Sequence, residues 1–369
     1  MDQIGQMDQI EMRAMTEELT MIGIIRQKFV GAALAACAGI ALGAFAVSAL
    51  AAPKLKPRII QTNFAGDSVS VIDPVTNKVV GHIEGIELNH GVAVNPNGKW
   101  IYISDETNQT LDVADGKSLK VVNRIGLHAH PNNITISHDG RRVYVAIVGK
   151  DGGIDVIDTV AQKEVTFVPT HNAIHNPYVT PDGKYVLAGS IQGKMISVID
   201  TQTNEVAFTI PMDLGVRPMA ISANPDGSTQ FIFAQLTGFN GFAVIDFATR
   251  KEIKRLKNPD LPADRKAVPP GNEASHGIAV TADQKTLLVA SRVNTALYSY
   301  SIPDFKLLGT AYLGGKGAGW LTLSPDSKTA YVANPIDDDV SAVDVASMKE
   351  IALIPVGSSP KRNTSGMLE

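Results

Sequence analysis

Residues 180–201 read TPDGKYVLAGSIQGKMISVIDT, and the fold follows from how this stretch repeats. Thr180-Pro181-Asp182-Gly183 is a turn: proline presets a negative φ and glycine accepts a positive one. The apolar run Lys184 to Ala188 follows, and after a polar break Met195 to Ile199 closes in Asp200, whose carboxylate is placed to bond its own turn backbone. Pro177-Tyr178-Val179 before the stretch and Glu205 to Ile210 after it bring the unit to four short β-rich runs.

The turn recurs at Asn95-Pro96-Asn97-Gly98, Ser137-His138-Asp139-Gly140 and Asn224-Pro225-Asp226-Gly227, with degraded copies at Thr281-Ala282-Asp283-Gln284 and Ser324-Pro325-Asp326-Ser327. The closing strand recurs as Val71-Ile72-Asp73, Val156-Ile157-Asp158, Val244-Ile245-Asp246 and Ala342-Val343-Asp344, with weaker copies ending at Asp115 and Ser301. Its seven end positions are spaced by 42, 43, 42, 46, 55 and 43 residues. After residue 52 no apolar stripe of helical period and length appears. Runs such as Val143 to Val148 are apolar on both faces, as sheets packed between two neighbours require. Seven units of four strands predict an all-β, seven-bladed β-propeller of four-stranded blades. The first unit, Arg58 to Gly85, lacks an innermost strand, and Ser359 to Ser365 matches the start of one. The C-terminal strand is therefore expected to join the first blade and close the ring, removing open sheet edges.

The chain has 369 residues, 44% hydrophobic and 19% charged, an ordinary globular composition. A net charge of -4 without a basic cluster argues against nucleic acid as a partner. The single cysteine, Cys37, excludes a disulfide scaffold or a multi-thiolate metal centre. It lies in an address segment. Arg26 and Lys28 precede the uncharged run Phe29 to Ala52, which ends in the small-x-small signal Ala49-Leu50-Ala51. That layout predicts a signal peptide over residues 1–51, with residues 1–20 an extension ahead of a start at Met21, and a single propeller domain over residues 52–369. Two alternatives place the chain at a membrane: an uncleaved anchor, or acylation of Cys37 within Leu34-Ala35-Ala36-Cys37. The cleaved reading makes the protein periplasmic or secreted, and its thiol-free mature chain suits an oxidising compartment.

The repeat resembles the YVTN repeats of the YncE family, most clearly in Ala330-Tyr331-Val332-Ala333-Asn334 and Val198-Ile199-Asp200-Thr201. The resemblance spans roughly residues 58 to 365. It implies a periplasmic or surface-exposed propeller whose biochemistry is open, with lactonases, a streptogramin lyase and the copper domain of nitrous-oxide reductase sharing the architecture.

In a four-stranded blade both regular turns lie on one face, while blade-to-blade connections and second-to-third-strand loops lie on the other. Candidate functional residues gather on the second face. His90, His175 and His276 each fall six residues before the proline position of their turns, at the starts of the innermost strands of blades 2, 4 and 6. His130 lies nearby in blade 3, and His171 lies four residues before His175. Imidazoles converging on a channel can bind a transition metal such as copper or zinc, with His130 in support; repeat ancestry alone also accounts for three copies at one consensus position. Arg217, Arg292, Trp320 and Lys361 share that face as candidates for ligand contact. The acidic loops Asp105-Glu106 and Asp337-Asp338-Asp339 read as solvated surface. The insertion Leu256 to Ser275 reads as a lid across the mouth or a rigid excursion. There is no phosphate-binding glycine loop, nucleophile elbow or haem-attachment motif. The expected function is a scaffold binding an unknown protein or small molecule on the histidine-bearing face. The alternatives are a metal-binding protein or oxidoreductase and, by fold analogy, a lactonase-like hydrolase.

Overall fold

The computed structural model describes residues 54–269 and 273–369. The leader residues, including Cys37 and the cleavage signal, lie outside the described residues. From Lys56 to Leu368 the described chain forms seven four-stranded antiparallel sheets and no helix. This is a seven-bladed β-propeller. Six blades are simple meanders, counted from the channel outward. Blade 1 takes its innermost strand, Pro360–Leu368, from the C-terminus, which pairs antiparallel with Lys56–Asn63 in the register Gln61 to Asn363 and Ile59 to Ser365. The expected ring closure is observed.

Burial explains the pattern of each strand type. Second and third strands are sandwiched and buried along almost their whole length, as in Arg142–Ile147 and Gly153–Asp158. Fourth strands form the rim and bury little beyond one residue, such as Ile83 in Lys78–Glu84. The core is seven apolar clusters, one between each pair of neighbouring blades. The cluster that closes the ring packs Ile59 and Ile72 of blade 1 against Tyr331, Val340 and Ala342 of blade 7. The Tyr331 hydroxyl then donates to Asn77 Oδ1 at 2.7 Å across that seam. Each blade also carries one β-bulge between its third and fourth strands, as at Val71/Ile72 and Val156/Ile157, which adds to the twist the ring needs.

The turn chemistry holds. Gly98, Gly140, Gly183 and Gly227 have φ between 70° and 84°. The aspartates closing third strands accept backbone N–H bonds from their own turns, as Asp158 does from Val160 and Ala161 at 2.8 Å. In the degraded copies Gln284 and Ser327 take the left-handed conformation themselves, and their side chains reach back to cap the preceding blade at Ala223 and Ala282.

At Gly183 the nearest atom to an added Cβ is 3.6 Å away, so Gly183→Ala meets no clash and tests backbone strain alone. It is expected to destabilise the propeller by ~1–2 kcal/mol in denaturant titration. Deleting Pro360–Leu368 exposes the blade 1 edge, and loss of the cooperative melt followed by circular dichroism is expected.

Candidate functional site at the channel mouth

Strand register sets a ring of side chains around the channel. Counting back two residues from those that pair with Gln61, Ile103, Val145 and Ala188 gives Lys361, His90, Asn132 and His175. The same count from the partners of Ala234, Val289 and Val332 gives Arg217, His276 and Gly319. One structural position thus carries three imidazoles, two cations, an amide and a glycine. Blades 2 and 6 follow the histidine with glycine because the next inner strand passes too close for more: a Cβ at Gly91 would lie 2.7 Å from the Ile134 nitrogen, and one at Gly277 2.7 Å from the Leu321 nitrogen.

Blade 7 contributes no side chain at its ring position, and that gap is filled from blade 1. Arg362, one residue beyond Lys361, is 1% exposed and lays its guanidinium over the Trp320 ring at 4.4 Å. Trp320 is oriented by an Nε1–H bond to the Asn363 carbonyl at 3.0 Å. His276 lies 5.9 Å from Trp320 and 6.0 Å from His175 between ring centroids. On the other side Lys361 lies over Phe64 at 4.5 Å, and Phe64 packs edge-on to His90.

Two carboxylates tie the remaining candidates together. Glu106 bonds both His90 Nδ1 and His130 Nε2, the latter at 3.1 Å. Glu273 bonds Arg217 at 3.1 Å and Arg292 at 2.9 Å. Burial, reinforced by the Arg362 charge, holds His90, His175 and His276 well below the ordinary imidazole value, so all three are neutral at pH 7. Burial likewise pushes Glu106 up, Lys361 down, and Arg362 down to about 10. Arg362 Nε and Nη2, His90 Nε2 and the Tyr178 hydroxyl are buried without a hydrogen-bond partner. Beside Arg362 a cavity of about 110 Å³ is lined by Glu273, His276, Arg292 and Lys361.

The structure therefore gathers His90, His130, His175, His276, Arg217, Arg292, Trp320 and Lys361 at one mouth but organises them around three further residues. Arg362, Glu273 and Glu106 carry no motif that marks them as site residues in the sequence. Glu106, expected to be solvated, is largely buried between two histidines. Asp337 and Asp338 cap backbone nitrogens of Lys316 and Ser359, and Asp339 bonds Asn334. The acidic loops are joints. Of the insertion, Asn258, Pro259 and Val268 are bonded to blade 6, while Glu273 reaches the mouth. A set of three His, Asp or Glu donors lying within 4.8 Å of one another occurs among the described residues at His128, Asp155 and Glu164, and includes none of His90, His130, His175 and His276.

Residues 102–223 match the family described as the cytochrome D1 heme domain, about a third of the chain. A curated relative, antigen Lp49 of Leptospira interrogans, is 23% identical over 187 residues, covering 45% of this chain and 40% of its own length. The chain thus matches about two fifths of that relative. Among solved structures, Kuenenia stuttgartiensis hydrazine synthase superposes with a TM-score of 0.66 at 23% identity, covering 84% of this chain and 99% of that one. The Pseudomonas aeruginosa periplasmic gluconolactonase PpgL gives 0.67 at 17%, covering 85% and 99%. The dihydro-heme d1 dehydrogenase NirN gives 0.58 at 14%, covering 80% and 63%. At these identities the likeness is one of fold, and it supports a β-propeller. A heme d1 does not fit the mouth as built. The two cavities lined by ring residues measure about 110 and 140 Å³, below the roughly 300–1,000 Å³ of pockets for drug-sized ligands, and the buried Arg362 lies close enough to His90, His175 and His276 for its charge to act on each.

Neutral burial of His276 has a pH consequence. Its native pKa lies below its unfolded value, so the unfolded chain binds the proton first as pH falls. The stability it contributes is complete above about pH 6.5 and declines below that, by up to ~1.4 kcal/mol per pH unit. Urea unfolding at pH 7.5 and 5.5 is expected to show a shallower decline in His276→Gln than in the parent; equal declines would contradict the assignment.

Proposed function

We propose that this chain is an extracytoplasmic propeller that binds a small carboxylate ligand at the histidine-bearing mouth of its channel. The observation that carries this is Arg362: a buried guanidinium with two unpartnered nitrogens, Nε and Nη2, close to neutral imidazoles. An unpaired buried cation costs several kcal/mol, and a guanidinium fork matches a carboxylate bidentately. Lys361, Arg217 and Arg292 add three positive charges against the carboxylates Glu106 and Glu273. His90 Nε2 and the Tyr178 hydroxyl offer an acceptor and a donor, so a ligand bearing a hydroxyl beside its carboxylate satisfies more of the site. The same positive charge disfavours a metal cation among His90, His175, His276 and His130. The leader pattern, the absence of cysteine beyond Cys37 and the likeness to a propeller named as periplasmic support export.

Calorimetric titration with acetate, lactate and gluconate is expected to show binding strengthening from the simple acid to the hydroxy acids. Arg362→Met should abolish it while leaving stability unchanged or raising it by ~1–3 kcal/mol, because the variant removes an uncompensated buried charge. Equal binding by parent and variant would sink the reading. Copper or zinc retained by the parent and lost in His276→Ala would favour the metal reading instead, and turnover of gluconolactone above buffer would favour the hydrolase. N-terminal sequencing of the exported protein should begin at Ala52.

A further inference from the structure

The third strand of blade 3, Gly153–Asp158, carries Asp155 at a position where blades 1, 4 and 7 carry Ser70, Ser197 and Ser341. Blade 2 also has an aspartate there, Asp112, and the two make an internal comparison. Asp112 is buried but partnered: Thr110 Oγ1 donates to it at 2.6 Å, and Arg124, its cross-strand neighbour, donates from Nε at 3.0 Å. Across from Asp155 the cross-strand neighbour is Phe167. Asp155 is 0% exposed; its Oδ2 accepts the His128 backbone N–H at 2.8 Å, and its Oδ1 has no partner. Burial raises its carboxyl to about 6, and Glu164 nearby pushes in the same direction.

What surrounds this carboxylate is a donor set. The His128 ring is stacked flat on Phe167, with centroids 4.1 Å apart and planes 4° apart, which holds the imidazole beside Asp155. Donor atoms of His128, Asp155 and Glu164 all lie within 4.8 Å of one another. One imidazole and two carboxylates, with His128 and Glu164 open to solvent, suit Zn²⁺ with three protein ligands and water in the remaining position.

We propose that His128, Asp155 and Glu164 form a Zn²⁺ site on the flank of the ring between blades 2 and 3, with a donor set that includes none of the channel histidines. The ion supplies Asp155 with the positive partner that Arg124 supplies to Asp112. The stacked Phe167 acts as a positioning residue, fixing the plane of the imidazole.

The test is calorimetric titration of Zn²⁺ into the EDTA-stripped full chain at pH 7.5. One site tighter than about 100 µM is expected, weakened at least about tenfold in Asp155→Ser and in His128→Ala. Asp155→Ser installs the residue that three other blades use at this position; should it fail to fold, Glu164→Gln on the exposed outer strand reads the same loss. The double variant His175→Ala/His276→Ala should keep the site, which separates it from metal at the channel. No single-site binding by the parent, unaltered binding in the flank variants, or loss confined to the channel double variant would each overturn the proposal.

Discussion

The structure depends on the pairing of Pro360–Leu368 with Lys56–Asn63. A seven-bladed ring has seven inter-blade cores only if it closes, and the last of them, Ile59 and Ile72 against Tyr331 and Val340, exists because the C-terminus completes blade 1. The same strand delivers Lys361 and Arg362 to the channel. Ring stability and the electrostatics of the mouth are therefore set by one piece of chain, which couples folding of the propeller to assembly of its site.

Within the mouth a single desolvated charge organises the rest. Arg362 helps hold three imidazoles neutral, leans on Trp320 and leaves donors aimed at no protein group. Glu106 and Glu273 lie to either side and neutralise part of the positive field. Such an arrangement is poor for stability and good for recognition, since a buried guanidinium is compensated most fully by an anion of matching geometry. The flank between blades 2 and 3 shows the opposite sign, where a buried carboxylate faces phenylalanine instead of the arginine its neighbouring blade provides.

Much of this was legible in the residues. The 42- to 46-residue register, the Pro-Asp-Gly turns and the strands closing in aspartate specify local geometry that needs no distant contact to be read, and they lead to seven four-stranded blades. The alternation of faces follows from strand count alone, which is why the face carrying His90, His175, His276, His130, Arg217, Arg292 and Trp320 is legible in the sequence. Glu106 reads as solvated because an Asp-Glu pair in a loop carries no sign of the two histidines that bury it. Glu273 has no sequence signal because it lies in an insertion outside the repeat.

The sequence by itself determined the blade count, the turn chemistry, the face that carries the histidines and the strand that closes the ring, because these follow from periodicity and from backbone preferences of proline, glycine and aspartate. Only the tertiary structure decided which charges meet. Arg362 and Trp320 are 42 residues apart and belong to different blades, and Glu273 reaches an arginine 56 residues earlier. Burial and proximity around a closed ring set the protonation of each group, and neither quantity is local in the chain.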